Sequence, residues 1–467
     1  MRQTSFSNVQ FIFLALLTAL LCSPSSLAQE ANTAPNIVLI LSDDQAWTDY
    51  QFMGHECIQT PHLDRLAARS AVFRRGYTPT PLCRPSLMTI ITGLYAHQHG
   101  VTGNDPKPDK SLSDAQYSQQ KLDLISKVDS LSTIPKELSR LGYVSMQSGK
   151  WWEGNFRRGG FTHGMTRGFP EQGGRHGDDG LTIGRQGLKP VIDFINTATA
   201  DRKPFFLWYA PMLPHTPHNP PERLLAKYQQ EGRAPELAKY YAMCEWFDES
   251  CGEILTHLDR TGISDNTIVM YVTDNGWIQS TPEMKLPAAW NHGFAPRSKQ
   301  TVYEGGIRTP ILISWPGKII PGDRSILAST LDVYPTLLSA VGVDVEKSLP
   351  GRNLLPWITT VSAAPDRDQL FGESFAHDIA DLNQPEASLQ YRWTIQNKWK
   401  LIVSYEAADD RYAFVHRMNE KAPQLFDLTA DPFEKTNLAA QHADLVKSLE
   451  AGLQKEWAVS KRPIGFP

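Results

Sequence analysis

Cysteine is scarce in this chain, with 5 residues in 467. That excludes a disulfide scaffold, since a chain of this length can bury a large apolar core unaided. Cys244 and Cys251 lie in one stretch with helical patterning. Two helical turns would separate their Cα atoms by about 10.5 Å, too far to bridge. A basic excess is also missing. Lys and Arg total 46 against 50 Asp and Glu, a formal net charge of -4. That excludes the electrostatic footprint of a nucleic-acid binder. The apolar run at 11–21 falls short of the roughly 20 residues a membrane-spanning helix needs, so no stable membrane insertion is expected. No internal repeat is evident.

What is present begins with a targeting segment. Arg2 precedes the apolar run, and Ser26-Leu27-Ala28 offers small residues at the -3 and -1 positions before Gln29-Glu30. This pattern predicts a cleavable secretory signal over residues 1–28 and a periplasmic or secreted protein. Leu21 ahead of Cys22 is too large for the usual lipid-attachment site. Export leaves Cys57, Cys83, Cys244 and Cys251 in the mature chain.

Short apolar runs at 37–41, 205–209, 268–272 and 311–314 predict buried parallel strands, with 143–146 a weaker one. Helical patterns at 61–70, 134–141, 190–197, 238–258 and 331–340 alternate with them. The order predicts an α/β fold with a mostly parallel central sheet flanked by helices, over residues 35–348. The stretch 154–187 is rich in glycine, with Arg, His and Asp interleaved, and predicts a long surface loop. Beyond 349 the pattern changes. Residues 391–395, 399–403 and 424–427 predict antiparallel strands of a smaller C-terminal subdomain, 349–467.

Two of the buried runs end in oxygen-bearing side chains. Residues 37–41 lead into Ser42-Asp43-Asp44, and 268–272 into Thr273-Asp274-Asn275-Gly276. In open α/β sheets, sites form outside the carboxyl ends of strands. Converging carboxylates repel, by about 4 kcal/mol per pair at 4 Å and an effective dielectric near 20. A divalent cation removes that penalty, and all-oxygen ligands favour Ca²⁺ or Mg²⁺ over Zn²⁺. Cys83 opens a second pattern. Leu87, Ile90, Ile91 and Leu94 follow helical spacing and Pro85 suits a first turn. Cys83 then sits at a helix N-terminus, which favours negative charge and makes it a candidate nucleophile.

The segment from Cys83 to Gly93 resembles the signature of the type I sulfatases of the alkaline-phosphatase-like superfamily, Cys-x-Pro-Ser-Arg-x-x-x-x-Thr-Gly. Cys83, Pro85, Ser86, Thr92 and Gly93 match, and Leu87 stands at the Arg position. Gly149-Lys150-Trp151-Trp152 resembles the family's Gly-Lys-Trp-His, with Trp152 at the His position. Pro214-His215 supplies a further match. The run from Lys299 to Pro310 resembles Lys-x-x-x-x-Glu-Gly-Gly-x-Arg-x-Pro. The segment from Leu425 to Leu438 resembles the family's closing part, a small sheet packed on a final helix.

The resemblance implies a sulfuric ester hydrolase. Cys83 would be oxidised by a maturation enzyme to formylglycine, whose hydrate attacks sulfur and then releases sulfate as its second hydroxyl loses a proton. Asp43, Asp44, Asp274 and Asn275 would bind one calcium or magnesium ion, with the modified Cys83 facing it. Lys150 and Lys299 would contact sulfate, with His215 and Lys299 assisting the leaving group. Glu304 and Arg308 are expected to stabilise the turn, and His218 to be a substrate contact or a cap. Glu153, His97, His99, His163 and His176 are open as compensators for Leu87 and Trp152. Export suits a sulfated sugar or polysaccharide as substrate. The alternatives are a phosphoester or phosphonate hydrolase on the same scaffold, or a non-catalytic sulfoglycan-binding homologue.

Overall fold

The computed structural model describes residues 34–286, 293–360, 367–406 and 421–465. The expected signal over 1–28 lies outside them. A nine-stranded sheet forms the centre, in the order Ala328–Ser329, Ala71–Tyr77, Arg308–Ser314, Thr267–Thr273, Asn36–Ser42, Phe205–Ala210, Val144–Gly149 and His163–Gly164. Gly322–Arg324 pairs beside Ala71–Tyr77. The strand Asn36–Ser42 is parallel to both of its neighbours.

Its side chains alternate between two buried layers. Ile37, Leu39 and Leu41 face one, with Leu87, Ile90 and Ile91 of the helix Cys83–Thr92. Val38 and Ile40 face the other, with Met243, Phe247, Ile254 and Leu255 of the helix Pro235–Arg260. The two-residue period of a strand covered on both faces produces this division. Each fully buried Leu, Ile or Phe contributes about 1.5–3 kcal/mol. Leu87, in the position where the signature has Arg, is part of this apolar layer.

One expectation needs correction. The run 311–314 belongs to the strand Arg308–Ser314, which is antiparallel to both Thr267–Thr273 and Ala71–Tyr77. Between Thr273 and Arg308 the chain makes no crossover, so Arg308–Ser314 starts at the end where Thr267–Thr273 stops. Thr273 N donates to Thr309 Oγ1 at 2.8 Å across this junction. The connection that carries Lys299 therefore stays at the carboxyl end of the parallel strands.

The later strands Gln369–Phe375, Leu389–Gln396, Trp399–Ser404 and Gln424–Asp427 form a separate antiparallel sheet. Val446, Leu449 and Leu453 of the helix Ala443–Glu456 pack against Leu389, Leu401, Val403 and Leu425. Tyr391, Trp393, Ile395, Ile402 and Phe426 pack with Tyr77, Tyr303 and Ile307 of the larger part. Cys57, Cys83, Cys244 and Cys251 are all free thiols. Among the described residues no helix is long and apolar enough to cross a membrane.

Candidate active site

Six chain segments converge at the carboxyl end of the central sheet. The strand Asn36–Ser42 delivers Asp43 and Asp44, and Asp44 takes a left-handed backbone, φ 64°. Asp tolerates that conformation better than most residues. It turns the chain out of the strand, so that adjacent carboxylates can serve one site. Asp274 follows the neighbouring strand, with its N–H donating to Ser42 O at 3.0 Å. Asp44 N donates to Asp274 Oδ1 at 3.1 Å, and Asn275 Nδ2 to Asp44 Oδ1 at 2.7 Å.

The cations are seated among these carboxylates. Lys150 Nζ lies 2.7 Å from Asp43 Oδ1 and 3.6 Å from Cys83 Sγ. Lys299 Nζ lies 2.6 Å from Asp44 Oδ2, and His215 Nε2 3.4 Å from the same oxygen. Ligand atoms of Asp43, Asp44, Cys83 and His215 all lie within 4.8 Å of one another. Close backbone approach fixes the loop that carries Lys299. Gly276 N donates to Gly306 O at 2.9 Å, and a Cβ on Gly276 would meet Gly305 O at 2.0 Å. That contact requires glycine. Glu304 and Arg308 stay out of the site, as expected. Glu304 accepts from Tyr77 Oη and Lys400 Nζ, both at 3.1 Å, and Arg308 Nε donates to Arg74 O at 3.0 Å.

The helix Cys83–Thr92 is buried along its whole length and holds Cys83 at its first position. Ser86 Oγ donates to Asp274 O at 2.6 Å and ties the helix to the second strand end. The helix-terminus argument favours a thiolate, but burial dominates and pushes the Cys83 thiol up to about 12 against the pull of Lys150 and Lys299. The thiol as it stands is a poor nucleophile at neutral pH.

The carboxylates carry an excess charge. Burial would raise Asp44, but Lys299, His215 and Lys150 bring it down to about 2. Asp274 goes the other way, pushed well up by burial and by Asp43. Three carboxylates face two lysines. Asp274 Oδ2 and Asn275 Oδ1 are buried without a hydrogen-bond partner. Unpartnered oxygens beside an excess of negative charge fit a hard divalent cation. Lys150 and Lys299 are both pushed above the usual lysine range by these carboxylates, despite burial. Burial and Lys150 hold His215 below its ordinary value.

Cys83, Lys150, His215 and Lys299 open onto a cavity of about 510 Å³. Sequence reasoning found Cys83, Lys150, His215 and Lys299 on its wall. It missed Asn104, Asp105, Trp277 and His377. Trp277 follows directly on Asp274-Asn275-Gly276, a signal that was available. Asn104, Asp105 and His377 had none, because the two-residue pairing of Asp105–Pro106 with Asp378–Ile379 brings them there. Of the candidate compensators, only His176 lines the cavity among the described residues. Glu153 pairs with Arg84, 2.6 Å from Oε2 to Nη2. His97 pairs with Glu373, and His99 accepts from Val101 N. His163 contacts Thr162. His218 packs between Tyr240 and Trp277.

Fold and site thus define an α/β ester hydrolase of the alkaline-phosphatase-like type. The sulfatase family model matches residues 35–343, and the model of the N-sulphoglucosamine sulphohydrolase C-terminal region matches 291–458. The chain belongs to the sulfatase family, the sulfuric ester hydrolases. It is 28% identical to human N-acetylgalactosamine-6-sulfatase, over 90% of this chain and 85% of that one. A Bacteroides thetaiotaomicron 6S-sulfatase from a study of glycosaminoglycan metabolism shares the fold at TM-score 0.69 and 21% identity, covering 91% of this chain and 99% of that one. The phosphonate monoester hydrolase of Agrobacterium radiobacter shares it at TM-score 0.63 and 19% identity, covering 90% and 95%.

Proposed function

We propose that the protein is an exported sulfatase that removes sulfate from a sugar or polysaccharide, through a formylglycine made from Cys83 and one divalent cation. One observation carries this reading. The only described thiol on the cavity wall lies 3.6 Å from a buried lysine, beside carboxyl and amide oxygens that lack partners. A thiol held near 12 has no evident use there until it is converted.

Asp43, Asp44, Asp274 and Asn275 would hold the ion, calcium or magnesium, which supplies charge compensation for the sulfate oxygens. Converted to the hydrated aldehyde, Cys83 would supply one hydroxyl to attack sulfur and a second whose deprotonation would free sulfate. The chain's own groups do the remainder. Lys150 and Lys299 keep their protons and hold the negative ester oxygens. His215, with Nε2 3.4 Å from Asp44 Oδ2, assists the leaving alcohol, which takes up the proton released by the attacking hydroxyl. The N-acetylgalactosamine of the human relative's name supports a sulfated carbohydrate as substrate. The apolar run at 11–21 with small residues ahead of Gln29 supports export.

Protein co-expressed with a formylglycine-generating enzyme should hydrolyse sulfate monoesters faster than phosphate monoesters or phosphonates of the same alcohol. A reversed preference would overturn the reading in favour of a phosphoester or phosphonate hydrolase.

A further inference from the structure

The glycine-rich stretch 154–187 is docked onto the loop that carries Lys150. Trp151 N donates to His176 O at 3.2 Å. Gly177 has φ 145°, and a Cβ there would meet Gly149 O at 2.9 Å. A Cβ on Gly180 would meet the same oxygen at 2.6 Å. Thr166 Oγ1 donates to Gly177 O at 3.1 Å, and Asp178 Oδ2 accepts from Gly168 N at 2.8 Å. Residues 175–177 are therefore fixed against the catalytic loop.

The docking sets two side chains on the cavity wall against Trp152. The His176 ring lies 5.1 Å from the Trp152 ring. The Arg175 guanidinium lies 4.5 Å from it on a bond to Asp105, Nε to Oδ2 3.1 Å. Arg175 is thus engaged. His176 is not: its side chain makes no hydrogen bond, and its Nδ1 is sealed from solvent without a partner. The ring therefore meets the cavity through its other edge, which carries Nε2. Nδ1 is unmatched in either tautomer, whereas a bound sulfate ester offers Nε2 only acceptor oxygens, so the bound ester selects the Nε2–H tautomer. The surroundings keep the ring neutral. Burial first, then Lys150, Arg175 and His215, lower its pKa to about 3.

We propose that His176 is a neutral hydrogen-bond donor to the oxygens of the bound sulfate ester, supplied by the glycine-rich stretch that packs against Trp152. The assignment rests on the sulfatase reading and adds a substrate-contacting residue to it. A neutral donor beside two lysines binds ester oxygens without adding a proton that titrates between about pH 5 and 8.

The test uses the matured enzyme and a sulfate monoester. His176→Phe keeps the ring against Trp152 and removes the donor, whereas His176→Gln keeps an N–H donor. His176→Phe should lower kcat/KM by about 10- to 100-fold, with His176→Gln closer to wild type. The inflections of the pH profile should not move. A second readout is inorganic sulfate titrated calorimetrically into Cys83→Ala and Cys83→Ala/His176→Phe, the double variant binding more weakly by about 10-fold. His176→Phe within twofold of wild type in kcat/KM, with unchanged sulfate affinity, would overturn the proposal. So would a pH inflection that vanishes with the imidazole. Absence of turnover on every sulfate ester by the wild type would count against the sulfatase reading, while the calorimetry still decides the role of His176.

Discussion

The two sides of the cavity are built differently. On one side, Lys150 and His215 on the wall, and Asp43, Asp44, Asp274 and Asn275 buried beside them, all stand within a few residues of the ends of buried parallel strands. Their backbones are held by the sheet ladder, so a dense array of charges keeps one geometry. On the other, Arg175 and His176 come from the glycine-rich stretch 154–187, whose own elements are two short 3₁₀ helices and the two-residue strand His163–Gly164, and which glycine contacts and a few hydrogen bonds hold in place. The strand-end side handles charge. The glycine-rich side offers neutral and paired groups, as its lowered histidine and its Arg175–Asp105 pair show.

The comparison can be broken at several places. Cys83→Ala should lower turnover by roughly 10⁴-fold or more in matured protein while the melting temperature stays close to wild type. Substantial residual turnover would remove the nucleophile assignment. Asp274→Ala should lose bound cation by elemental analysis and reduce turnover by about 10²- to 10³-fold. Unchanged metal content would refute its place as a ligand. Trp152→Phe, which removes the indole N–H and narrows the ring packed on His176 and Arg175, should change kcat/KM by less than about fivefold. A larger loss would place the indole itself in contact with substrate.

The weakest effect is on stability. His176 is held near 3 in the fold, by burial and then by neighbouring cations, against an ordinary 6.5. Below pH 6.5 the unfolded chain takes a proton that the folded one refuses, so stability is lost as pH falls from 6.5 towards 3. His176→Phe removes that loss. Relative to pH 7, its stability at pH 4 should improve on wild type by on the order of 2–3 kcal/mol, measured by denaturant unfolding. Parallel curves for the two proteins would show that the ring is not held neutral.

The same contrast explains what was legible in the sequence. Strand ends were readable because a continuous apolar run stopping at Asp43 or Asp274 marks both the strand and its exit. Lys299 was readable through the glycines after it, which the close approach to Gly276 requires. The direction of Arg308–Ser314 was not, because an apolar run has no polarity of its own. The strand Ala71–Tyr77 was hidden by Arg74 and Arg75. These are accommodated near the sheet margin, where Arg74 reaches Asp323 at 2.9 Å and Arg75 reaches Asn397 O. His176 was one of several candidates, and only the docking of a loop without periodicity singles it out.

The central claim is tested most directly by the mass of the peptide containing Cys83, taken from a preparation whose turnover has been measured. The account predicts a peptide in which one oxygen replaces the sulfur and two hydrogens, and turnover proportional to that fraction. Full turnover from protein carrying only the unmodified thiol would contradict it.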